Sequence, residues 1–272
     1  MKVMNLVRPA AVAIGLLAAG SAWAGAELKI DDESSINLGF RGQVLMKSIE
    51  ADLNGDDSFN SFTDFQLRRA RIRLAGKINP KISMFLQTEF GDDVAGGGGD
   101  VRLIDGWVSY KFDPWAQVFA GMHMAPSSRQ ATTGSGGLMT MDRPGNNTKN
   151  LSWGTRALRN FSTATVPATA SGLIGQARDS VRDTGATLFG SGSLSDTTHL
   201  KNYVGMYEGV QVRGNPDRSL RMTTRVQLNF GDAEGGYFNT STYLGKKKTL
   251  AFGVSYDTQD EVQGERDENG DL

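Results

Sequence analysis

The sequence predicts an all-β protein, a transmembrane antiparallel β-barrel, and three observations support this fold class. The chain opens with an export signal, many segments alternate apolar and polar residues with a period of two, and short turns alternate with long loops between these segments. Glycine is frequent, with 34 residues, and proline is scarce, with 7. That composition is typical of short strands joined by glycine-rich turns.

A secretory signal peptide is predicted at residues 1–24. It has a basic start with Lys2 and Arg8, a short apolar run and an A-x-A cleavage site that ends at Ala24. The apolar run is too short to cross a membrane as a helix. Cleavage leaves residues 25–272 as one exported domain.

Charge and composition argue against several function classes. Without the signal peptide, 27 basic residues stand against 30 acidic ones, a net charge of −3 that argues against nucleic-acid binding. The chain has no cysteine, hence no disulfide framework and no thiolate metal site. The two histidines, His123 and His199, are far apart in the sequence, so we expect neither a metal site nor a cofactor.

The segment 65–78 is the most informative one. Its basic residues fall on one face of a strand, and they are Arg69, Arg71, Arg73 and Lys77. Its apolar residues fall on the other face, and they are Ala70, Ile72, Leu74, Gly76 and Ile78. In a transmembrane strand, the apolar face meets lipid and the basic face lines a water-filled lumen. A half-buried strand of a soluble protein explains this one segment equally well, so the other segments must decide.

Eight further segments alternate in the same way and are predicted as strands. They are residues 36–47, 81–90, 102–112, 115–124, 182–190, 200–208, 221–230 and 249–257. The resulting nine strands are an odd number, whereas single-chain bacterial barrels have an even number. The chain also ends in an acidic tail. We therefore expect an incomplete barrel, either an N-terminal portion of a longer protein or a truncated product.

The two faces of these strands carry different side chains. The polar faces add six basic residues to the lumen set, and these are Arg41, Lys47, Lys81, Lys111, Arg221 and Arg225. The inward acids are Glu89, Asp105 and Asp257. On the apolar faces, Ile104, Met122 and Met124 are expected to meet lipid. Trp107 lies on the polar face and is expected to pack inside the barrel.

The connections differ in length along the chain. Short turns are predicted at Asn79-Pro80 and Asp113-Pro114, and longer loops at 48–63 and 91–100. Outer-membrane barrels have short periplasmic turns and longer outside loops, and an aromatic girdle at each interface. Residues expected near the periplasmic rim are Phe112, Trp115 and Phe230. Residues 231–248 are expected to connect two strands, with Tyr237, Phe238 and Tyr243 at the membrane interface.

One connection is far longer than the others. Residues 126–180 form a polar segment with few acids, and a structureless loop of this length is uncommon inside a compact domain. In a barrel, such a loop can fold into the lumen and narrow it. We expect its arginines to contribute to a constriction, and these are Arg129, Arg143, Arg156 and Arg159.

Several of these segments, in order, resemble the phosphate-selective porin family (porin O and P). The most specific motif is Leu67-Arg68-Arg69-Ala70-Arg71 with Gly76-Lys77. The others are Phe40-Arg41-Gly42-Gln43, residues 105–112, residues 121–126 with Arg129 and Asp142-Arg143, Arg182-Asp183-Thr184-Gly185, and Leu244-Gly245-Lys246-Lys247-Lys248. The resemblance implies a barrel of about 16 strands, usually trimeric, which continues past Leu272. Met122 and Met124 depart from the basic or amide residues that the family often carries near these positions.

The expected function is passive diffusion of small, phosphate-like or other anions across the outer membrane of a Gram-negative bacterium. The pore-lining residues predicted are Arg41, Lys47, Arg69, Arg71, Arg73, Lys77, Arg221 and Arg225, in a barrel that forms a homotrimer in outer-membrane lipid. Stacked guanidinium groups would offer an anion a series of weak sites, because conduction needs binding that is also easily released. The inward acids could instead pair with these arginines and only balance the charge of the wall.

Three other functions remain as alternatives. The first is a general porin with little anion preference, and the second is a barrel that sheathes a periplasmic electron-transfer partner. The third is an outer-membrane hydrolase, which needs a serine beside a histidine and an orienting acid. His123 and Ser109 could be neighbours, but no nucleophile motif marks them. We therefore expect no enzyme activity and name no catalytic residue.

Overall fold

A computed structural model gives the fold of five stretches of the chain. The described residues are 25–51, 60–90, 101–140, 181–209 and 219–260. The predicted signal peptide and three of the predicted loop arginines, Arg143, Arg156 and Arg159, lie outside them, as does the side chain of Lys47. The described part is all-β, and its strands form one antiparallel sheet in which each strand pairs with its neighbours in the sequence.

Within these described residues, the sheet has ten strands. They are β1 (Gly25–Lys29), β2 (Ser35–Ala51), β3 (Asn60–Lys77), β4 (Ile82–Phe90), β5 (Val101–Asp113), β6 (Ala116–Met124), β7 (Arg182–Ser193), β8 (Thr198–Tyr207), β9 (Arg221–Gly231) and β10 (Thr249–Thr258). All nine predicted segments are strands. The count of nine is nevertheless one short, because β1 has five exposed residues and is too short for its alternation to be recognised. Within the described residues, β1 and β10 are the two edges and do not pair, so the sheet is not closed.

The connections segregate by length between the two ends of the sheet. Those at one end are short, and they are residues 30–34, 78–81, 114–115 and 194–197. Those at the other end are longer, and they are residues 52–59, 91–100, 125–181 and 208–220. We call these the short-turn end and the long-loop end. The connection 232–248 is the exception, because it is long and leaves the sheet at the short-turn end.

Side-chain carboxylates and amides shape the short turns. The Asn79 side-chain oxygen accepts hydrogen bonds from the backbone N–H of Lys81 at 2.9 Å and of Ile82 at 2.8 Å. Asp113 accepts one from the N–H of Trp115 at 3.0 Å. Such bonds mimic a backbone turn, which is why asparagine and aspartate predict turns at these two places.

The two faces of the sheet are chemically opposite, and β9 shows this most clearly. Its exposed residues are Met222, Thr224, Val226, Leu228 and Phe230, and its buried residues are Arg221, Thr223, Arg225, Gln227 and Asn229. A soluble protein would bury the apolar set. Here the apolar face is open, as in a strand that meets lipid, and the polar face is covered by other parts of the chain. We call these the open face and the covered face.

The open face confirms the orientation predicted for the arginine segment. Ile72 on β3 is 41% exposed, and Val226 and Leu228 on β9 are 47% and 37% exposed. Because such side chains are not buried in a core, the alternative of a half-buried soluble strand does not hold. The aromatic residues predicted at the periplasmic rim, Phe112 and Trp115, are exposed at the short-turn end.

Two bulges in the strands shift the alternation by one residue, and a third register shift lies at Phe112 beside the short turn 114–115. In the backbone pairing of β3 with β2, Arg68 is skipped between the pairs Gln43–Arg69 and Val44–Leu67. In the pairing of β5 with β4, Ile104 is skipped in the same way. A one-residue insertion moves the following side chains to the other face. The bulge interrupts the alternation at Ile104, so the prediction that this residue meets lipid stays a prediction. Ile104 is half-buried at the bulge, and Leu103 takes the outward position with 48% exposure.

The prediction that Met124 meets lipid is wrong. Met124 is only 3% exposed. It is the last residue of β6, and the chain turns there into a covered stretch that begins with the buried residues Ala125 and Pro126. Met122, two residues earlier, is half-buried. Strand alternation does not describe Met124 because its surroundings are set by the segment that follows the strand.

Candidate functional site

The arginines of β3 lie on the covered face, as their spacing predicts. Arg69 and Arg71 are 3% and 6% exposed, Arg73 is half-buried, and Lys77 is exposed near the short-turn end. Register sets their neighbours: Arg71 lies opposite Arg41 of β2 on one side and opposite Glu89 of β4 on the other. Directly opposed residues of adjacent strands have their side chains close together on the same face.

Two of these arginines converge on one hydroxyl group. Arg41 and Arg71 each donate a hydrogen bond from Nη1 to Oγ of Ser135, both at 2.8 Å. Ser135 belongs to residues 125–140, which we call the front segment because it enters from the long-loop end. A Cβ added to Gly136 would meet the end of the flexible Arg41 side chain, so glycine allows the guanidinium to approach the backbone in the position observed. Two like charges thus meet at a neutral oxygen.

Carboxylates compensate some of the covered arginines. Arg71 forms an ion pair with Glu89, with Nε 2.6 Å from Oε2. Arg221 binds Asp257 at 2.8 Å and Asp183 at 3.3 Å. The alternative in which inward acids balance the wall therefore holds for Arg71 and Arg221.

Two arginines are bonded only to neutral groups in the part of the chain that the structure describes. One is Arg41, through Ser135. The other is Arg225, which donates to Ser255 at 2.8 Å and to Gln227 at 3.0 Å. Because no described carboxylate is hydrogen-bonded to them, their charges are available to attract an anion.

Residues 232–243, the rear segment, enter from the short-turn end and also cover the polar face. Tyr237 is 3% exposed and packs into an aromatic cluster with Phe119, Phe189 and Tyr203, against which Trp107 also packs. The hydroxyl of Tyr203 donates to the Tyr237 carbonyl at 2.8 Å. The inside position expected for Trp107 is thus observed, whereas the interfacial position expected for Tyr237 is wrong.

The front and rear segments are joined to each other. Asn239 donates from its backbone N–H to the Thr132 carbonyl at 3.0 Å and from Nδ2 to Thr132 Oγ1 at 2.7 Å. The N–H of Ser241 donates to the Gly137 carbonyl at 2.7 Å. Sequence reasoning missed this junction, because its partners lie more than a hundred residues apart and neither segment has a periodic pattern.

A buried carboxylate stands at this junction. Glu234 binds both terminal nitrogens of Arg129, with Nη1 2.7 Å from Oε2. It also accepts hydrogen bonds from Gln227 at 2.8 Å, and from Asn229 and Tyr243 at 2.5 Å each. Burial alone would raise the pKa of Glu234, but the bonds from Arg129, Tyr243 and Asn229 lower it to about 2.

This pKa predicts when the junction weakens. Because the pKa of Glu234 is lower than its ordinary value of 4.5, its stabilising contribution is complete above about pH 4.5 and is lost as the pH falls towards 2. Hydrogen exchange, corrected for its intrinsic pH dependence, should show constant protection of the Asn239 and Ser241 amides from pH 7 to pH 5 and a decline below pH 4. The Ser191 amide, bonded to Pro114 at the short-turn end, is the control. Loss of protection already at pH 6 would contradict this prediction.

His123 has a structural environment. It is fully buried, and its Nδ1 lies 2.9 Å from the Gly121 carbonyl, so Nδ1 carries the proton and Nε2 accepts from Thr187 at 2.7 Å. Ser109 lies opposite Phe119 in the sheet, not opposite His123. The serine–histidine pair considered for a hydrolase is therefore not formed. Across the described residues, no three His, Asp or Glu side chains are grouped to hold a metal ion.

Comparisons with known proteins agree with the geometry. The family model for phosphate-selective porin O and P matches residues 45–217, more than half of the chain. The match includes the arginine strand and the front segment and ends before the rear segment. No curated protein matches the chain. In the stretches that the structure describes, no helix is long and apolar enough to cross a membrane.

Proposed function

Because this chain belongs to the phosphate-selective porin O and P family, we propose that it conducts small anions through an aqueous passage along its covered face. Membership of the family implies a membrane-embedded channel for small solutes in a Gram-negative outer membrane, and a channel rather than an enzyme. The selectivity for anions, the residues that produce it and assembly as a homotrimer are parts of the proposal.

The observation that carries the proposal is the convergence of Arg41 and Arg71 on Ser135. An oxyanion that reaches this point would find two guanidinium groups and a hydroxyl donor, and the planar fork of arginine matches the oxygens of phosphate or carboxylate. Glu89 offsets the charge of Arg71, so the site carries about one net positive charge.

The strength of such a site suits conduction. One unit charge at 4 Å contributes about 1 kcal/mol in bulk water and about 4 kcal/mol near a protein surface with an effective dielectric constant of about 20. Binding of about 4 kcal/mol corresponds to a dissociation constant of about 1 mM. An ion held this weakly enters readily and leaves quickly, as a pore requires.

The other basic residues of β3 would extend the passage. Arg69, Arg71, Arg73 and Lys77 follow the strand towards the short-turn end, and alternate residues of a strand are about 7 Å apart. On β9, Arg225 is bonded only to neutral groups within the described residues and is proposed to line the passage, whereas Arg221 is held by two carboxylates. Lys47, Arg143, Arg156 and Arg159 stay predictions.

A weakly selective porin is the second candidate, and the ion pairs favour it. Arg71 with Glu89 and Arg221 with two aspartates leave a wall with less net charge than the basic residues alone suggest. A sheath around a periplasmic protein needs an empty lumen. The front and rear segments lie over the covered face, which argues against it.

Reversal potentials in planar bilayers test the proposal. With a tenfold KCl gradient across the membrane, an anion channel gives a potential near the chloride equilibrium value, and added phosphate blocks the chloride current at millimolar concentration. A potential near zero would favour the weakly selective porin and overturn the anion proposal. A barrel that inserts but carries no current would overturn both in favour of a sheath.

A further inference from the structure

We propose that Glu234 is a positioning residue for the anion site, an inference that rests on the proposed function. It holds Arg129 and thereby fixes the front segment, so that Ser135 stands between Arg41 and Arg71. The rear segment, which contains Glu234, comes from the opposite end of the sheet and touches neither of these two arginines in the contacts described above. Any effect of Glu234 on the position of Ser135 therefore passes through the front segment.

The first step is that the sheet itself fixes Glu234. Gln227 and Asn229 are fully buried on β9 and both donate to Oε2 of Glu234. Side chains that lie on a rigid strand leave the carboxylate little freedom. Tyr237 anchors the same segment three residues later, through its bond of 2.7 Å to the Met124 carbonyl and its packing in the aromatic cluster.

The second step is that Glu234 fixes the front segment. Arg129 donates through Nη1 and Nη2 to the two carboxylate oxygens, and Nη2 also donates to the Thr240 carbonyl at 2.9 Å. This fork is geometrically specific, so it sets both the position and the orientation of Arg129. The guanidinium of Arg129 is thereby occupied, which makes it a tether in this proposal and not an anion ligand of the constriction.

The third step is the short distance along the chain from Arg129 to Ser135. Between them, Thr132 is fully buried and bonded to Asn239, and just beyond them the Gly137 carbonyl accepts from Thr240 Oγ1 at 3.0 Å. Ser135 is thus bracketed on both sides by contacts with the rear segment. If the tether at Arg129 loosens, the hydroxyl that two guanidinium groups share is displaced.

Two opposite results separate positioning from plain electrostatics. Replacing Glu234 by glutamine removes one negative charge from the covered face and releases the charge of Arg129. If charge alone mattered, E234Q would bind anions more tightly. If Glu234 positions the front segment, E234Q should weaken the block of chloride current by inorganic phosphate, with the half-blocking concentration raised about tenfold.

The matched control is Asp232→Asn. Asp232 lies in the same segment, is exposed and accepts a hydrogen bond from the backbone N–H of Lys248 at 2.6 Å. D232N makes the same change of net charge and leaves Arg129 tethered, so the phosphate block should stay within about twofold of the unmodified protein. An equal loss in D232N and E234Q would overturn the inference.

A reversible crosslink between the front and rear segments tests whether tethering alone restores phosphate block in E234Q. A Cβ added to Gly137 would lie 3.1 Å from the Thr240 Cβ, so a small shift allows a disulfide between Gly137→Cys and Thr240→Cys. The chain has no other cysteine. In the E234Q background, oxidation of this pair should restore the phosphate block and reduction should abolish it again. If E234Q does not insert into membranes, Glu234→Asp is used, which keeps the charge and shortens the reach to Arg129. A weaker phosphate block in E234D then supports positioning, and an unchanged block overturns it.

The outcomes distinguish this inference from the proposed function. If the unmodified protein has no anion preference, the proposed function fails. If the unmodified protein prefers anions and phosphate blocks the chloride current through E234Q equally well or better, only the positioning role of Glu234 fails. The positioning role of Glu234 also fails if the oxidised crosslink forms and does not restore the phosphate block.

Discussion

Replacing Arg41 by glutamine is expected to shift the reversal potential in a KCl gradient towards zero and to weaken phosphate block at least tenfold. Among the described residues, Arg41 has no carboxylate partner, so its charge is the main uncompensated one at Ser135. A tenfold loss corresponds to about 1.4 kcal/mol, well below the approximately 4 kcal/mol that one guanidinium can contribute near a protein surface. Both quantities are read from single-channel currents in planar bilayers.

Two matched variants separate charge from geometry at this site. Arg41→Lys keeps the charge but replaces the planar fork by a point charge, so chloride preference should remain while phosphate block weakens several-fold. Lys29→Gln makes the same charge change as R41Q at an exposed position on β1, outside the site, and should leave both quantities unaltered. An unchanged reversal potential in R41Q would remove Arg41 from the conduction path.

The second large effect concerns stability. Val226→Arg is expected to destabilise the folded protein in lipid vesicles by about 2–4 kcal/mol, the range for arginine on a barrel strand at the bilayer midplane. Val226 stands at the centre of β9 and is 47% exposed on the open face. The measurement is urea-induced unfolding from vesicles, followed by tryptophan fluorescence.

The control makes the same substitution at a different depth. Leu250 lies opposite Phe230 near the short-turn end and is 58% exposed on the same face. At this depth, Leu250→Arg should cost only about 0–1 kcal/mol. If the open face were wetted by water, the two variants would be equally stable, and the assignment of this face to lipid would fail. If V226R does not insert into vesicles and L250R does, the result also supports the assignment of the open face to lipid.

Most of the strand architecture follows from local patterning. In β9, every second residue from Arg221 to Asn229 is buried and each intervening one is exposed, because side chains on a strand alternate faces with a period of two. The same rule placed Arg69 and Arg71 on the covered face. It gives no face for Ile104, where one extra residue interrupts the alternation. The apolar Leu103 beside Ile104 was the available signal for that bulge.

The charge balance of the site depends on pairing between strands, which the sequence pattern does not reveal. Arg71 and Arg41 look alike in the sequence, since both are arginines on a polar strand face. Only the register places Glu89 beside Arg71 and leaves Arg41 with a hydroxyl partner. The difference decides which of the two carries uncompensated charge.

By itself, the sequence determined the class of fold, nine of the ten described strands, the apolar face that is left open and the basic residues of the opposite face. These properties repeat every two residues and are therefore local. The tertiary structure alone decided that Tyr237 and Glu234 turn back over the sheet and that Glu234 meets Arg129, more than a hundred residues away. Contacts of this kind depend on how the chain returns in space, and no short-range pattern of side chains encodes that return.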